Sequence, residues 1–75
     1  MIKYKIDIVK ALADKGFTAT KIRENKLISQ ATLQNLRQGK NINITTLNDI
    51  CIMLRCQPND VIEIVPSDDE KLKFF

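Results

Sequence analysis

The sequence predicts an all-α fold, a compact domain of five helices, and leaves open whether the two ends of the chain add a short β-ribbon. Two observations predict this class. Apolar residues recur at helical spacing in several segments, and glycine, hydroxyl or amide residues stand where each segment begins or ends. The 75 residues are 44% hydrophobic and 28% charged. This balance is typical of one small globular domain rather than of a disordered chain.

The first two predicted helices are separated by a stop signal and a start signal. The first helix is expected from Ile6 to Lys15, with Gly16 in the left-handed position after its end and Phe17 folding back on its apolar face. Thr18 then supplies a hydroxyl N-cap for a second helix from Ala19 to Glu24.

A short turn and a second hydroxyl cap introduce the third helix. Residues 25–28 break the helical pattern with polar and then apolar residues and are too short for an element of their own, which indicates a tight turn. Ser29 caps a helix from Gln30 to Gln38 with inward-facing leucines, and Gly39 ends it. The exposed side of this helix is expected to carry amide side chains and no acid.

The second half of the chain continues the helical pattern. Asn43 is expected to cap a fourth helix from Ile44 to Arg55, and Pro58 to begin a fifth helix of one or two turns. The residues around Tyr4 alternate between apolar and basic, and residues 61–65 are β-branched and apolar, so these two segments are candidates for a two-stranded ribbon.

We place the domain at residues 1–66. Residues 67–75 are interpreted as an acidic spacer followed by an apolar tail, which is either frayed or an interaction strand.

Several classes of function are excluded by what the chain lacks. There is no His, and Cys51 and Cys56 match neither a zinc-binding spacing nor a C-x-x-C redox motif, so we expect free thiols, no metal and no cofactor. Without an evident base, nucleophile or metal we expect no enzymatic activity, and no small-molecule ligand is evident. No apolar run reaches the roughly 18 residues of a membrane span and no secretory signal is present, which predicts a cytoplasmic protein without a membrane partner.

The positive charge is concentrated in the middle of the chain. The formal net charge is +3, but residues 15–41 hold six basic residues and one acid, a local net charge of +5. A cluster of basic residues often only keeps a surface solvated, so charge alone does not distinguish DNA binding from an inert face.

Two short helices joined by a tight turn, the second one capped and rich in amides, are typical of a helix-turn-helix unit, whose second helix enters the major groove of DNA. Gln and Asn match the donor and acceptor pattern of adenine, and a small Ala can contact a thymine methyl group. The residues predicted to read bases are Ser29, Gln30, Ala31, Gln34 and Asn35.

Phosphate contacts are expected around this helix, because basic side chains and the free N–H groups at helix starts bind phosphate oxygens. Lys21 and Arg37 are the weaker candidates, since long basic side chains also cover apolar surface. The predicted phosphate-binding residues are Thr18, Lys21, Arg37, Lys40, Asn41 and Asn43.

The segment S-Q-A-T-L-Q-N-L-R-Q-G-K at residues 29–40 resembles the recognition helix and following turn of the lambda-repressor-like Cro/CI (XRE) regulators. The resemblance includes residues 45–51 and 56–61 and extends over residues 5–64. The later part of the match is similar to the end of small stand-alone members of that family. The resemblance implies a five-helix DNA-binding domain and, commonly, a dimer on a palindromic operator. It also implies base reading at Ser29, Gln30, Ala31 and Asn35, and phosphate contacts at Lys40, Asn41 and Asn43. Many members of the family have a glycine in the turn before this helix; here we expect Asn25 to take the left-handed backbone position of that glycine, because Asn tolerates this conformation best among the non-glycine residues.

Together these observations predict a sequence-specific transcriptional regulator that binds double-stranded DNA through its third helix. We favour a repressor over an activator. The sequence does not decide whether the protein forms a homodimer. The alternative is an antitoxin or accessory protein-interaction module on the same scaffold, with the apolar tail as its docking surface. Salt distinguishes the two, because phosphate contacts make DNA binding strongly salt-dependent and apolar contacts do not.

Overall fold

The computed structural model describes residues 1–75, which form six short helices and one two-stranded sheet. In chain order the elements are β1 (Ile2–Tyr4), α1 (Ile8–Asp14), α2 (Ala19–Glu24), α3 (Gln30–Arg37), α4 (Ile44–Leu54), α5 (Pro58–Val61), β2 (Ile62–Ile64) and α6 (Asp68–Phe74). The predicted helical class with a terminal ribbon is confirmed, and the chain has one helix more than predicted.

One hydrophobic cluster holds α1 to α5 together. In it α1 packs against α3 and α4, and α5 packs against α4. Its buried members are Ile8, Leu12, Ile22, Ile28, Leu33, Leu36, Ile50, Cys51, Leu54 and Val61. Burying one such aliphatic side chain stabilises the fold by about 1.5–3 kcal/mol. Since α4, the longest helix, has only 11 residues, the helices depend on this cluster rather than on their own hydrogen bonds.

The turn between α1 and α2 has the predicted geometry. Gly16 lies at φ 91°, and the N–H of Phe17 donates to the carbonyl oxygen of Leu12 at 2.8 Å. The hydroxyl oxygen of Thr18 accepts a hydrogen bond from the N–H of Lys21 at 3.2 Å and so caps α2. The glycine and the cap reverse the chain in three residues, as the sequence indicates.

The predicted start of the first helix is wrong. The helix begins at Ile8, because the carboxylate of Asp7 accepts a hydrogen bond from the N–H of Lys10 at 3.2 Å and acts as the N-cap. Ile6 therefore lies outside the helix. Three residues predicted to be the last of their helices, Lys15, Gln38 and Arg55, are the C-caps.

In the turn between α2 and α3 the left-handed residue is Lys26, not Asn25. Lys26 has φ 53°, whereas Asn25 has φ −95°. The side-chain amide of Asn25 donates to the carbonyl oxygen of Lys21 at 2.9 Å, which keeps Asn25 in line with the helix. The chain therefore reverses at Lys26, one residue later than predicted. The N–H of the next residue, Leu27, donates to the carbonyl oxygen of Ile22 at 3.0 Å.

The terminal ribbon is confirmed as an antiparallel pair of β1 and β2. The register pairs Ile2 with Ile64, Lys3 with Glu63 and Tyr4 with Ile62. The opposite charges of the central pair are favourable across strands. The N–H of Lys5 also donates to the carbonyl oxygen of Val61 at 2.8 Å, so the start of the chain is attached directly after α5.

The expectation of a frayed tail or a strand after residue 67 is wrong, because this segment forms α6. The hydroxyl oxygen of Ser67 accepts from the N–H of Glu70 at 3.2 Å, and the carboxylate of Glu70 accepts from the N–H of Ser67 at 3.0 Å. This pair is a capping box. Acids in the first turn and lysines in the last turn also match the helix dipole. The Ser-x-x-Glu capping pattern therefore starts a helix here, although the residues at its end are apolar.

Glu70 makes the start of α6 sensitive to acid. Its carboxylate also accepts a hydrogen bond from the amine of Met1 at 2.5 Å. This bond first, and then those from Ser67, lower the pKa of Glu70 from 4.5 to about 2. Because the pKa is lower in the folded state, the stabilisation is fully present above pH 4.5 and is lost as the pH falls toward 2.

We therefore expect the helical signal of α6 to decrease between pH 4.5 and about 2 in the native chain. In Glu70→Gln the signal should be weaker and nearly independent of pH over this range. Carbon chemical shifts of residues 68–74, followed by NMR against pH, measure both. Asp68→Asn is the matched control, since it removes an acid from the same turn that accepts no hydrogen bond. A Glu70 titration midpoint at its ordinary value would contradict the prediction.

Candidate nucleic-acid interface

Helix α3 presents amide side chains to solvent because its leucines face the core. Leu33 is 0% exposed and Leu36 is 7% exposed. The predicted base-reading residues of this helix point away from that cluster: Gln30, Ala31 and Gln34 are exposed, and Asn35 is half-buried. We call these four residues the amide face.

The amide face consists of two neighbouring rows. Gln30 and Gln34 are one helical turn apart, and so are Ala31 and Asn35. The helix carries no Asp or Glu, and Arg37 continues the first row toward its end. Amides and one small methyl group are thus exposed side by side, without a carboxylate to repel phosphate.

Ser29 acts first as the cap of α3. Its hydroxyl oxygen accepts from the N–H of Thr32 at 3.1 Å, and its hydroxyl proton is donated to the side-chain oxygen of Thr32 at 2.8 Å. Because the proton is in use, Ser29 offers a base only an acceptor lone pair. The residue therefore holds the first turn of the amide face in place, and its predicted role in base reading is restricted to accepting a hydrogen bond.

After α3 the chain turns sharply into an exposed loop. Gly39 has φ 71°, and the N–H of Lys40 donates to the carbonyl oxygen of Asn35 at 2.8 Å. Asn43 then begins α4, with its side-chain oxygen accepting from the N–H of Thr46 at 2.7 Å. We call residues 40–43 the exit loop. Lys40, Asn41 and Asn43 are exposed on it, directly after the amide face.

The other predicted phosphate-binding residues lie on separate elements. Thr18 and Lys21 are at the start of α2, and Arg37 is in the last turn of α3; all three are exposed. The amine of Lys21 lies 5.2 Å from the centre of the Phe17 ring, so this side chain covers an aromatic surface. Such a contact is the reason why Lys21 was a weaker candidate for phosphate binding. None of the three cations Lys21, Arg37 and Lys40 forms an ion pair.

Tyr4 is a residue of the site that the sequence did not indicate. Its hydroxyl donates a hydrogen bond to the carbonyl oxygen of Lys40, so strand β1 holds the exit loop from the far end of the chain. Burial raises the pKa of Tyr4, which keeps the phenol protonated and able to donate. The two residues are 36 positions apart, and no local pattern marks the contact.

No helix of this chain combines the length and the apolar composition required to cross a bilayer.

Comparison with known proteins agrees with this geometry. Residues 7–67 match the family model of the Cro/C1-type HTH DNA-binding domain. The chain is also 36% identical over 66 residues to YozG of Bacillus subtilis (strain 168), an uncharacterized HTH-type transcriptional regulator; the match covers 85% of this chain and 79% of that protein. No solved structure matches the chain significantly.

We expect Tyr4→Phe to loosen the exit loop without changing the fold. Loss of one hydrogen bond should lower the free energy of unfolding by roughly 0.5–1.5 kcal/mol. Backbone amides of residues 40–43 should exchange with solvent faster, as measured by NMR hydrogen exchange. Lys5→Met is the matched control, because it removes a different ribbon contact, from the Lys5 amine to the carbonyl oxygen of Asn59. Unchanged exchange at residues 40–43 in Tyr4→Phe would exclude the anchoring role.

Proposed function

The chain belongs to the Cro/C1-type helix-turn-helix family of DNA-binding transcriptional regulators, and we propose that it binds specific sequences of double-stranded DNA through α3. The observation that carries the proposal is the amide face, of which three of four residues are exposed, which lacks acids and which is supported from behind by two buried leucines. A helix of this width fits the major groove, where base edges differ in their donors and acceptors.

In this proposal the two rows of the amide face have different tasks. Gln30 and Gln34 hydrogen-bond base edges, with adenine as the preferred partner of an amide. Ala31 contacts a thymine methyl group, and Asn35 reads a base from the same row. Ser29 accepts a hydrogen bond from a base amino group while it remains the helix cap. Residues at the start of a recognition helix approach the bases most closely, so Gln30 and Ala31 should contribute most.

Phosphate contacts position this helix without reading sequence. The exit loop provides the first set, with the amine of Lys40 and the side chains of Asn41 and Asn43. The hydroxyl of Thr18 and the cation Lys21, at α2, and the cation Arg37, in the last turn of α3, provide the second set. The concentration of basic residues between positions 15 and 41 supports this assignment, since the acids lie mostly elsewhere.

We further propose that the regulator is a repressor and that two copies bind one palindromic site. Binding alone blocks a promoter sterically, so repression requires no further chemistry. Two recognition helices meet successive major grooves when they lie about 34 to 36 Å apart. We also propose a cytoplasmic location, because the relative is bacterial and the bacterial chromosome lies in the cytoplasm.

The second candidate function, an antitoxin or accessory protein-interaction module, is favoured by one observation. Leu72, Phe74 and Phe75 are 85%, 73% and 88% exposed, which is unusual for large apolar side chains in a small domain. Such a module would retain its partner at high salt, whereas DNA binding would weaken steeply.

Gln30→Ala is expected to cost about 1 to 3 kcal/mol at one base position of the preferred site, because one amide pair is lost there. Binding to other sequences and the salt dependence should stay unchanged. Affinities for a set of single-base variants, selected first from random duplexes, measure this effect. Gln38→Ala is the matched control, since it removes an exposed amide at the other end of α3. An equal loss on all duplexes for Gln30→Ala would refute base reading.

Lys40→Ala is expected to weaken binding to all sequences evenly and to reduce the salt slope by about 1. If five phosphates are neutralised, the native slope of log affinity against log salt should be near −4 to −5, from about −0.9 for each phosphate. The substitution leaves the Lys40 carbonyl, and therefore the Tyr4 contact, in place. Lys10→Ala, on α1, is the matched control and should keep the native slope. A native slope near zero would favour the protein-interaction function.

A further inference from the structure

Helix α6 exposes more apolar surface than a short helix can sustain alone. Its seven residues include Leu72 and Phe74, Phe75 follows directly, and no residue of the helix is buried. Helices of this length are marginal in water without packing. The capping box and the ion pair of Glu70 with the Met1 amine support only the first turn.

The structure holds α6 away from the hydrophobic core of its own chain. Only Val65, Pro66 and Ser67 separate it from β2. The N–H of Val65 donates to the carbonyl oxygen of Met1 at 2.9 Å, and the Met1 amine binds Glu70 at 2.5 Å, so Met1 holds both the connection and the first turn of α6. The molecule is accordingly elongated, 45 Å by 23 Å by 19 Å. The apolar side chains of Leu72, Phe74 and Phe75 therefore remain largely uncovered within the chain.

A second uncovered apolar surface lies on α4. Ile44 and Ile52 are 84% and 66% exposed, although the same helix buries Ile50, Cys51 and Leu54 in the core. The outer side of α4 thus exposes two isoleucines between polar residues such as Thr45 and Asn48, while its inner side is packed in the core. An open groove of about 530 Å³ follows this outer side; its lining includes Ile44, Leu47, Cys51, Ile52, Arg55 and Pro58. We call it the α4 groove.

We propose that α6 of one copy docks in the α4 groove of a second copy, and that the second copy returns the same contact. Both surfaces belong to one chain, so the reciprocal contact closes with twofold symmetry and leaves neither surface exposed. Charge also matches: Arg55 lines the groove and forms no ion pair, and the first turn of α6 carries Asp68 and Asp69, likewise unpaired.

The available area is sufficient for a stable dimer. Aromatic side chains bury about 150–250 Å² each, so the four phenylalanines of two α6 segments contribute roughly 600–1,000 Å². Leu72 of α6 and Ile44 and Ile52 of the groove are also largely exposed, and covering them in both copies brings the total above the roughly 1,000 Å² expected of a specific interface. The use of this dimer, to place two recognition helices on one duplex, rests on the proposed function, but the contact itself is tested without DNA.

The test compares a groove variant, Ile52→Lys, with a helix variant, Phe74→Ser/Phe75→Ser, by sedimentation equilibrium of DNA-free protein over a wide concentration range. We expect the native chain to form dimers and each variant to raise the dimer dissociation constant by about tenfold or more, the effect of losing an interface anchor. The matched controls are Ile64→Lys, at a site of equal exposure (67%) outside the groove, and Lys71→Ser on α6. Both controls should dimerise as the native chain does.

Mixing the two variants identifies the reciprocal contact. The groove variant keeps an intact α6 and the helix variant keeps an intact groove, so the mixture should form heterodimers through one contact although neither variant self-associates strongly. A native chain that stays monomeric, variants that dimerise like the native chain, or a mixture that does not associate would each overturn the proposal. Circular dichroism of each variant confirms folding. Binding of the variants to a single half-site duplex is measured separately, so loss of DNA binding and loss of dimerisation are distinguishable.

Discussion

Burial of Leu33 in a cluster with Leu12 of α1 and Ile50 of α4 is the contact on which the rest of the molecule depends. All three side chains are completely covered. Helix α3 has eight residues, too few to be stable by its own hydrogen bonds, so both its existence and its rotation about its axis follow from this packing. Once Leu33 faces inward, the pitch of the helix places Ala31 on the outer side. The amide face is thus a geometric consequence of the core.

The turns between the helices depend on residues with left-handed backbone conformations, and not all of these residues are glycines. Gly16 and Gly39 take left-handed conformations without steric cost, whereas Lys26 and Arg55 take them with a side chain present. A non-glycine residue in this region costs on the order of 1–2 kcal/mol. At Lys26 the cost is offset by the hydrogen bond from Leu27 to Ile22 and by the burial of Ile28, which follows in the turn. The turn between α2 and α3 is therefore set by what it packs, not by its most permissive residue.

Some apolar residues of the chain form the buried core, and others remain exposed on the surface. No polar side chain is buried, and every buried residue is hydrophobic. Outside this cluster, large apolar side chains remain exposed on α4, the ribbon and α6. Exposed apolar residues are normal when scattered, but the four most exposed ones here lie on α4, which is already covered on its other side, and on or directly after α6, which has no cover at all; they are Ile44, Leu72, Phe74 and Phe75. This distribution is what an association surface requires, and it lies on elements other than the amide face.

The sequence by itself determined the local features: the caps at Thr18, Ser29 and Asn43, the glycine at the end of α1, and the leucines of α3. These depend on interactions within about one helical turn, which a pattern of neighbouring residues describes well. The start of α6 is also a local feature, because it depends on the pair of Ser67 and Glu70. The apolar residues that follow this pair led to the prediction of a tail instead of a helix.

Only the tertiary structure decided that Lys26 rather than Asn25 reverses the chain, that Asn35 is half-buried, and that Tyr4 holds the loop after α3. Each depends on atoms brought together across the fold. Their energies are those of packing and of hydrogen bonds between distant residues, and no spacing along the chain encodes them.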